Sequence, residues 1–312
     1  MATYNGAQYI REQLESIIGQ TYTDWQLLIR DDKSSDGTVD LIKDFASRDS
    51  RIKLIENGDK YGSAVINFSN LFDYVVSENK SYIMFADQDD IWNEAKVSKS
   101  LSFITGLEEK YGKEMPLMAY SSFQYIDQQG KEINQELIMP SHQSLVGLLT
   151  ENYAYGCTMI LNPSLVQIIK HIPDTAENHD YWIALVASTF GKSIHNPEKL
   201  LKYRQHDNNV SGNVSNRKFS SRIFRYVREI DYLLPLMVRN YKMINLFYYK
   251  YNPVMESDAA SLVGGYLKAY KSGSMQFFSY MLKNKIKKQG VYQSLAYYYT
   301  IYRLRKSVLR EV

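Results

Sequence analysis

YIMFADQDDIWN, residues 82–93, decides the fold class, because an apolar run ends there in a cluster of aspartates. The run YIMFA is typical of a buried β-strand. Asp87, Asp89 and Asp90 follow within four positions, and like charges this close together repel one another. In an extended segment, side chains two positions apart share a face, so Asp87 and Asp89 can point the same way. The folded chain therefore needs something, such as a cation, to offset the repulsion.

Strand and helix patterns alternate through the first half of the chain. Apolar residues recur at helical spacing in three segments and form short continuous runs in three others. The helical segments are ATYNGAQYIREQLESIIGQ (2–20), SSDGTVDLIKDFASRD (34–49) and SAVINFSNLFDYVVS (63–77), and the strand segments are WQLLIRDD (25–32), IKLIEN (52–57) and YIMFA (82–86). This βαβα order predicts an α/β fold, with a mostly parallel sheet and helices on both of its faces.

Both acid clusters fall where a predicted strand ends. Asp31 and Asp32 follow the apolar run LLI, and Asp87 to Asp90 follow YIMFA. In sheets of this kind, ligands bind beyond the carboxyl ends of the strands. Two converging carboxylates suit Mg²⁺ or Mn²⁺, which fill their remaining positions with water and phosphate oxygens. The alternative for the second cluster is a solvated acidic loop that caps the next helix.

The first acid pair and the segment TYNG, residues 3–6, could contact a nucleotide. Asp31 and Asp32 can accept hydrogen bonds from a ribose hydroxyl or a base N–H, or they can belong to a helix N-terminus that the following serines cap. TYNG precedes a helix and can offer backbone N–H groups and a positive dipole end. It can equally be a plain turn between strand and helix.

The second half of the chain has a less regular pattern. The predicted elements are antiparallel strands over LMAYSSFQYID (117–127) and KEINQEL (131–137), helices over NPSLVQIIKH (162–171) and NHDYWIALVASTFG (178–191), and a strand running into a loop over LLKYRQHDNNVSG (200–212). Asn162 at the N-cap and Pro163 after it are typical of a helix start. Asp180 lies near a helix N-terminus, where the dipole favours a carboxylate. We predict a first domain over residues 1–216 and a mainly helical region over 217–312.

Charge is divided unevenly along the 312 residues. Residues 1–216 carry 19 Lys/Arg and 29 Asp/Glu, whereas residues 217–312 carry 18 and 5 and hold 14 of the 27 tyrosines. Tyrosines flanked by cations suit a helix in a bilayer interface, with Lys and Arg on anionic lipid. A helical bundle packed on the first domain and a homodimer surface are the alternatives. Nucleic acid is not predicted as a partner, because no recognised binding module appears.

Cysteine content and hydropathy exclude other classes of protein. The single cysteine, Cys157, excludes an intrachain disulfide and a Cys-based zinc site, and it fits a reducing compartment. No signal peptide is visible. No run of about 18 apolar residues occurs either, so we expect no spanning helix and a cytoplasmic location.

Six segments of the chain resemble motifs of the family 2 glycosyltransferases, which have the GT-A fold. They are TYNG (3–6), QTYTDWQLLIRDDKSSDGT (20–38), NFSNLF (67–72), FADQDDIW (85–92), HDYWIALVA (179–187) and YRQHDNNVSG (203–212). The match covers roughly residues 1–215 and is most similar to bacterial rhamnosyltransferases of polysaccharide biosynthesis. The C-terminal third matches only loosely.

The resemblance implies inverting transfer of a sugar from a nucleotide diphosphate donor to a lipid-linked saccharide in cell-wall or capsular polysaccharide biosynthesis. The donor would be dTDP-L-rhamnose, and the enzyme would work at the inner face of the cell membrane. Asp180 matches the catalytic base. The residues that match nucleotide-sugar positions are Thr3, Tyr4, Asn5, Asp31, Asp32, Asp87, Arg204 and His206. The ligands of the metal ion, Mg²⁺ or Mn²⁺, would be Asp89 and His206.

The sequence departs from the family pattern at two places. A full apolar strand usually precedes TYNG, so we expect the first strand here to be nearly absent. Lys33 stands where the family usually has Gly, and its side chain could narrow the nucleoside pocket unless the turn tolerates it. Two other interpretations therefore stay open, an inactive glycosyltransferase-like subunit that docks a partner at the membrane and a sugar-nucleotide pyrophosphorylase. The latter usually has a Gly-rich loop that TYNGAQYIREQ lacks.

Overall fold

The computed structural model describes residues 1–55, 61–78, 82–206 and 230–312. The chain folds into two compact units. The first holds Met1–His142, Ala154–Asp174 and Gly191–Ser215, and the second holds Gln143–Tyr153, Thr175–Phe190 and Asn216–Val312. Two segments from the range that the sequence assigns to its first domain, residues 143–153 and 175–190, thus fold with the second unit.

A parallel three-stranded sheet opens the first unit. It consists of β1 (Ala2–Thr3), β2 (Leu27–Asp31) and β3 (Ile52–Leu54), with helices α1 (Ile10–Ile18) and α2 (Thr38–Arg48) between successive strands. Ile10 and Leu14 of α1 are fully buried in the same apolar core as Ile29 of β2. In the ladder, Thr3 lies opposite Asp31, so the ends of β1 and β2 meet at one edge of the sheet.

A mixed five-stranded sheet completes the β-structure of the described residues. Its strands are β4 (Ile83–Met84), β5 (Ile91–Trp92), β6 (Leu117–Ile126), β7 (Met159–Leu161) and β8 (Lys192–Arg204). They lie in the order β4-β7-β6-β8-β5, in which β6 and β8 are parallel and every other pair is antiparallel. The α/β class is confirmed, although antiparallel strands make up more of the structure than the sequence predicted. The pairing of Ile91 with Lys202 brings the acid-rich segment between β4 and β5 beside the end of β8.

The strand predicted over KEINQEL does not form. After β6 the chain turns at Gly130, whose φ is +82°, and Ile126 makes a single bridge with Glu132. The side-chain amide of Gln124 donates to the carbonyl of Ile133 at 2.9 Å. A side chain therefore occupies an acceptor that a second strand would need for its ladder.

The remaining helices of the described residues are α3 (Ala64–Glu78), α4 (Lys96–Tyr111), α5 (Leu145–Leu148), α6 (Pro163–Ile169), α7 (His179–Phe190), α8 (Ile230–Tyr251), α9 (Ser257–Ser272), α10 (Ser274–Lys283) and α11 (Val291–Glu311). The predicted start of α6 is confirmed, because the side chain of Asn162 accepts a hydrogen bond from the N–H of Leu165 and Pro163 follows it. At α2 the N-cap is instead Gly37, with φ +89°, rather than a side chain.

The second unit is helical and has an aromatic core. Trp182 of α7 is fully buried and packs edge-on against Phe247 of α8, with 5.8 Å between ring centroids. Tyr241 and Tyr270 are buried together, with 4.7 Å between their ring centroids. The helical prediction for the C-terminal third is confirmed over residues 230–312, and residues 217–229 lie outside the described part. None of the described helices combines the length and the hydropathy needed to cross a membrane.

Candidate active site

Asp31 is held at the end of β2 by a network within the protein. The hydroxyl of Thr3 donates to its Oδ2 at 2.7 Å. Ser34 donates to the same carboxylate twice, from its hydroxyl at 2.6 Å and from its backbone N–H at 2.7 Å. These bonds fix the turn that follows β2, in which Lys33 has the left-handed φ of +60°. The carboxylate of Asp31 therefore holds the turn that starts at Asp32 in place.

Asp32 points toward a different loop from its neighbour. Its Oδ1 accepts from the backbone N–H of Tyr61 at 2.8 Å and its Oδ2 from that of Gly62 at 2.7 Å. Gly62 has a φ of +66°, a conformation that favours glycine. The Tyr61 ring lies 5.0 Å from the guanidinium of Arg30. The carboxylate of Asp32 therefore accepts its two hydrogen bonds from the loop before α3. The N–H or O–H groups of a ligand could be bound by the same two oxygens.

The turn TYNG uses its backbone donors inside the protein. The N–H of Tyr4 donates to the side-chain oxygen of Gln88 at 2.9 Å, and the amide of Gln88 donates back to the carbonyl of Tyr4 at 3.0 Å. The N–H groups of Asn5 and Gly6 donate to the hydroxyls of Ser34 and Thr38, both at 2.8 Å. Side chains satisfy these N–H groups in this structure, and a contact between them and a nucleotide stays a prediction.

Asp89 and His206 form a close polar pair at the end of β8. The Nε2 of His206 lies 2.8 Å from Oδ2 of Asp89, and both side chains are largely buried. Arg204 lies at the end of β8. Its side-chain Nε donates to the backbone carbonyl of Asp89 at 2.8 Å, and its backbone N–H donates to Oδ1 of Asp90 at 3.2 Å. Residues 114 or more positions apart in the chain therefore meet at the end of β8.

Two residues at the start of α1, Tyr9 and Glu12, contact His206 and Arg204. The ring of Tyr9 stacks on His206 at 5.1 Å between centroids and lies 4.8 Å from the guanidinium of Arg204. Glu12 forms an ion pair with Arg204 at 2.5 Å. Arg204 is almost fully buried, with 1% of its surface exposed, so its charge depends on these partners.

Asp87 belongs to a second group, with Asp90 and Cys157. Potential ligand atoms of these three side chains all lie within 4.8 Å of one another. The prediction that Asp87 and Asp89 share a face is not met, because the chain bends at residues 88–89 instead of continuing as a strand. Alternation of side chains applies only to extended segments.

Burial makes the group of Asp87, Asp90 and Cys157 less suited to binding a metal ion than Asp89 and His206. It raises the pKa of Asp90, with further increases from the charges of Asp89 and Asp87, and burial also raises the pKa of the Cys157 thiol. Burial thus disfavours the deprotonated forms of Asp90 and Cys157, which are the forms that ligate metals. The ammonium of Lys96, whose pKa burial lowers to about 8, donates to the carbonyl of Cys157 at 2.9 Å.

Asp89 and His206 do fit a divalent ion. Two ligands at right angles around an ion, with bonds of about 2.1 Å, lie about 3.0 Å apart. The separation between His206 Nε2 and Asp89 Oδ2 is close to that value. One carboxylate oxygen and one imidazole nitrogen leave the other positions for water and phosphate oxygens, and this donor set suits Mn²⁺.

Asp180 lies on the second unit, in the first turn of α7. It is half-buried between two buried neighbours, His179 and Tyr181. Burial lowers the pKa of His179 to about 3, so that imidazole is neutral near pH 7. The hydroxyl of Tyr181 donates to the carbonyl of Leu148 at 2.6 Å and fixes the start of the helix.

Of the residues predicted from the sequence, the structure joins Thr3 to Asp31, and Arg204 and His206 to Asp89. Sequence reasoning missed the roles of Tyr9 and Gln88. No local signal marks Tyr9, because its partner is far away in the chain. Residues 207–212 of the last motif lie outside the described residues.

Comparison with known proteins agrees with this architecture. The model of "Glycosyl transferase family 2" matches residues 1–111. The dTDP-rhamnosyl transferase RfbG of Shigella flexneri is 32% identical over 227 residues, which are 69% of this chain and 75% of RfbG. The "UDP-Glc:alpha-D-GlcNAc-diphosphoundecaprenol beta-1,3-glucosyltransferase WfgD" of Escherichia coli is 28% identical over 214 residues, which are 68% of this chain and 78% of WfgD.

Solved structures share the fold at low sequence identity. S. aureus TarS 1–349, crystallised in complex with UDP, superposes with a TM-score of 0.58 at 13% identity and covers 99% of this chain and 90% of its own. This chain spans 42% of the longer TarS structure. The fold and its relatives define a glycosyltransferase of the GT-A class. The chain belongs to glycosyl transferase family 2.

Proposed function

We propose that this protein is an inverting, metal-dependent glycosyltransferase that adds a sugar to a lipid-linked saccharide in bacterial cell-wall or capsular polysaccharide biosynthesis. The observation that carries the proposal is the pair formed by Asp89 and His206 at the end of β8. Asp89 lies in the FADQDDIW motif and His206 in the YRQHDNNVSG motif, next to Arg204, where the family resemblance assigns the diphosphate of the donor.

The residues of the first unit would bind the donor. Asp89 and His206 would hold Mn²⁺ or Mg²⁺, which when bound would neutralise charge on the departing diphosphate. Asp32 and Asp87 would contact the nucleoside, and the loop at Tyr61 would have to release Asp32 for that contact. Thr3, Tyr4, Asn5 and Asp31 would shape the nucleoside side of the pocket through the turns that they order.

Asp180 would be the catalytic base. An acceptor hydroxyl attacks the anomeric carbon as it loses its proton to a carboxylate, and the leaving diphosphate needs no general acid. The bond from the anomeric carbon to the acceptor oxygen forms as the bond to the diphosphate oxygen breaks, so configuration inverts. A glycosidase differs because it flanks the bond with two carboxyl groups.

The relatives suggest the donor and the acceptor. RfbG is named a dTDP-rhamnosyl transferase, which supports dTDP-L-rhamnose as donor, and the name of WfgD includes a diphosphoundecaprenol acceptor, which supports a lipid-linked saccharide. An acceptor of this kind is reached at the inner face of the cell membrane, so we propose a cytoplasmic enzyme that associates peripherally with an anionic membrane surface. A homodimer surface on the C-terminal helices is the competing assignment.

One other interpretation keeps support from a specific observation. Lys33 adopts the left-handed conformation that glycine usually provides in this family, so a side chain stands beside the nucleoside turn. An inactive subunit could tolerate such a change. The intact carboxylates argue against it, and membership of the family removes the pyrophosphorylase interpretation.

Nucleotide release from sugar nucleotides tests the proposal. We expect release from dTDP-L-rhamnose with Mn²⁺ and none after chelation. Asp89→Ala and Asp180→Asn should lower the rate by about a hundredfold or more. Asp44, a partly exposed residue that pairs with Arg48 on α2, provides the control Asp44→Asn, which should retain activity. Absence of release across a panel of donors would favour the inactive subunit, and release unaffected by Asp89→Ala would contradict the metal site.

A further inference from the structure

Helix α11 has one packed face and one exposed face. The packed face holds Ser294, Thr300, Ile301, Leu304, Arg305 and Val308. On the opposite side, Tyr292 is 60% exposed, Leu295 58%, Tyr299 36% and Tyr302 62%. These positions and Lys306 are spaced three and four residues apart, so they form one stripe along the helix. We call this set, together with Arg303 and Arg310, the outer stripe of α11.

The tyrosines of α11 divide by role. The hydroxyl of Tyr298 donates to the carbonyl of Ile286 at 3.0 Å, and that of Tyr297 lies 3.3 Å from the hydroxyl of Tyr266. These rings point into the helical bundle and hold it together. The rings of Tyr292 and Tyr302 in the outer stripe contribute less to that packing, because 60% and 62% of their surface is exposed. Packing of the bundle therefore does not account for Leu295 and Tyr302.

The charge beside the stripe has one sign. Residues 271–312 contain nine Lys/Arg and a single acidic residue, Glu311. Lys306 and Arg310 have no carboxylate partner among the described residues, and the guanidinium of Arg303 donates to the hydroxyl of Tyr299 at 2.9 Å. Lys283, Lys285 and Lys287 are exposed in the segment that leads into α11. The surface thus combines apolar and aromatic groups with unneutralised cations.

We propose that the outer stripe of α11 lies in the interface of an anionic lipid bilayer. Tyr rings prefer the level of the headgroups, Leu295 and Val291 can enter the acyl region, and Lys306 and Arg310 can contact lipid phosphates. Phosphates of nucleic acid would match the cations but would leave the aliphatic groups in water. The proposal deepens the proposed function, since a lipid-linked acceptor is met at this surface, yet it can be tested without any catalytic step.

Vesicle flotation of the full chain tests this assignment. The vesicles contain equal parts of phosphatidylglycerol and phosphatidylcholine, or phosphatidylcholine alone, at low and high NaCl. The first variant is Leu295→Asp/Tyr302→Asp, with Tyr249→Asp as its control, because Tyr249 is 81% exposed on α8. The second is Lys306→Glu/Arg310→Glu, with Lys242→Glu/Lys268→Glu as its control, because both lysines are exposed in the same unit.

Wild type should bind the anionic vesicles, and salt should weaken the binding. Each stripe variant should reduce partitioning by about tenfold or more, whereas the controls stay within about twofold. Release of nucleotide from a soluble donor should be unchanged in the stripe variants, so a failure of catalysis and a failure of membrane binding are separate results. The proposal is overturned if wild type ignores anionic vesicles or if the stripe variants bind as wild type does. The proposal would also be overturned if wild type were a dimer and the stripe variants were monomers that still bind the vesicles.

Discussion

Among single residues, Tyr9 contacts two of the predicted site residues, His206 and Arg204, through its ring. Its ring stacks on the imidazole of His206, and the guanidinium of Arg204 lies 4.8 Å from the ring centroid. An imidazole that ligates a metal needs a fixed ring orientation, and neighbouring groups commonly provide it. We therefore expect Tyr9 to position His206 rather than to take part in catalysis.

Replacing Tyr9 by leucine should weaken Mn²⁺ binding by about tenfold, because His206 loses the ring that orients it. The maximal rate at saturating Mn²⁺ should change much less. Titration of nucleotide release with Mn²⁺ separates the two effects. Tyr74→Leu on the exposed side of α3 is the matched control. A lowered maximal rate with unchanged Mn²⁺ dependence would contradict the positioning role.

Two glycines offer a paired test of the turn that links TYNG to the acid segment. A Cβ on Gly6 would lie 2.3 Å from Oε1 of Gln88, whereas one on Gly106 of α4 would meet no atom within 4 Å. Gly6→Ala should displace Gln88 from Tyr4 and lower the free energy of unfolding by about 1 kcal/mol. Gly106→Ala should raise it by about 0.5–1 kcal/mol. Urea denaturation measures both, and equal effects would show that Gln88 moves without cost.

Among the elements, α6 and the DQDD segment show what a sequence can specify. The start of α6 depends on Asn162 and Pro163 alone, and local chemistry of this kind can be predicted. The segment after β4 was predicted to stay extended, but it bends because Asp89 and Asp90 bond to Arg204 of β8. A contact between residues so far apart has no local signal. The family motif points to these residues as a group, and their partners could not be predicted from spacing.

Helix α7 should make the protein sensitive to acid. Burial lowers the pKa of His179 from its usual 6.5 to about 3, so between these values the unfolded chain binds a proton that the folded chain does not. Above pH 6.5, His179 therefore does not lower the free energy of unfolding. Between pH 6.5 and 3, the free energy of unfolding falls as the pH drops. Between pH 7.5 and 5, the free energy of unfolding should fall by about 2 kcal/mol on this account.

Urea denaturation at the two pH values checks this expectation. His179→Gln cannot take up that proton, so the variant should lose correspondingly less stability between pH 7.5 and 5. His171→Gln is the control, because His171 is exposed and pairs with Asp73 on the surface. An equal loss in wild type and His179→Gln would assign the acid sensitivity to other groups.

For the whole molecule, the division of charge follows the division of proposed roles. The acidic first 216 residues include the carboxylates assigned to the donor and the metal, and the basic remainder includes the outer stripe of α11. Asp180 and Asp89 belong to different units, so nucleotide binding and proton removal are proposed for separate parts of the chain. Substitutions at the two positions should therefore have different effects on ligand binding, even though both are expected to lower the rate of transfer.

Ligand-linked stability distinguishes these roles. Mn²⁺ with dTDP at about a hundredfold excess over the dissociation constant should stabilise the folded protein by about 2.7 kcal/mol. The melting temperature measured by differential scanning fluorimetry should then rise by about 4 °C. Asp89→Ala should lose the part of this shift that depends on Mn²⁺, because the ion loses its carboxylate ligand. Asp180→Asn should keep the whole shift, since a base for the acceptor hydroxyl takes no part in nucleotide binding. A full Mn²⁺-dependent shift in Asp89→Ala would move the metal site elsewhere, and a lost shift in Asp180→Asn would make Asp180 part of the nucleotide site.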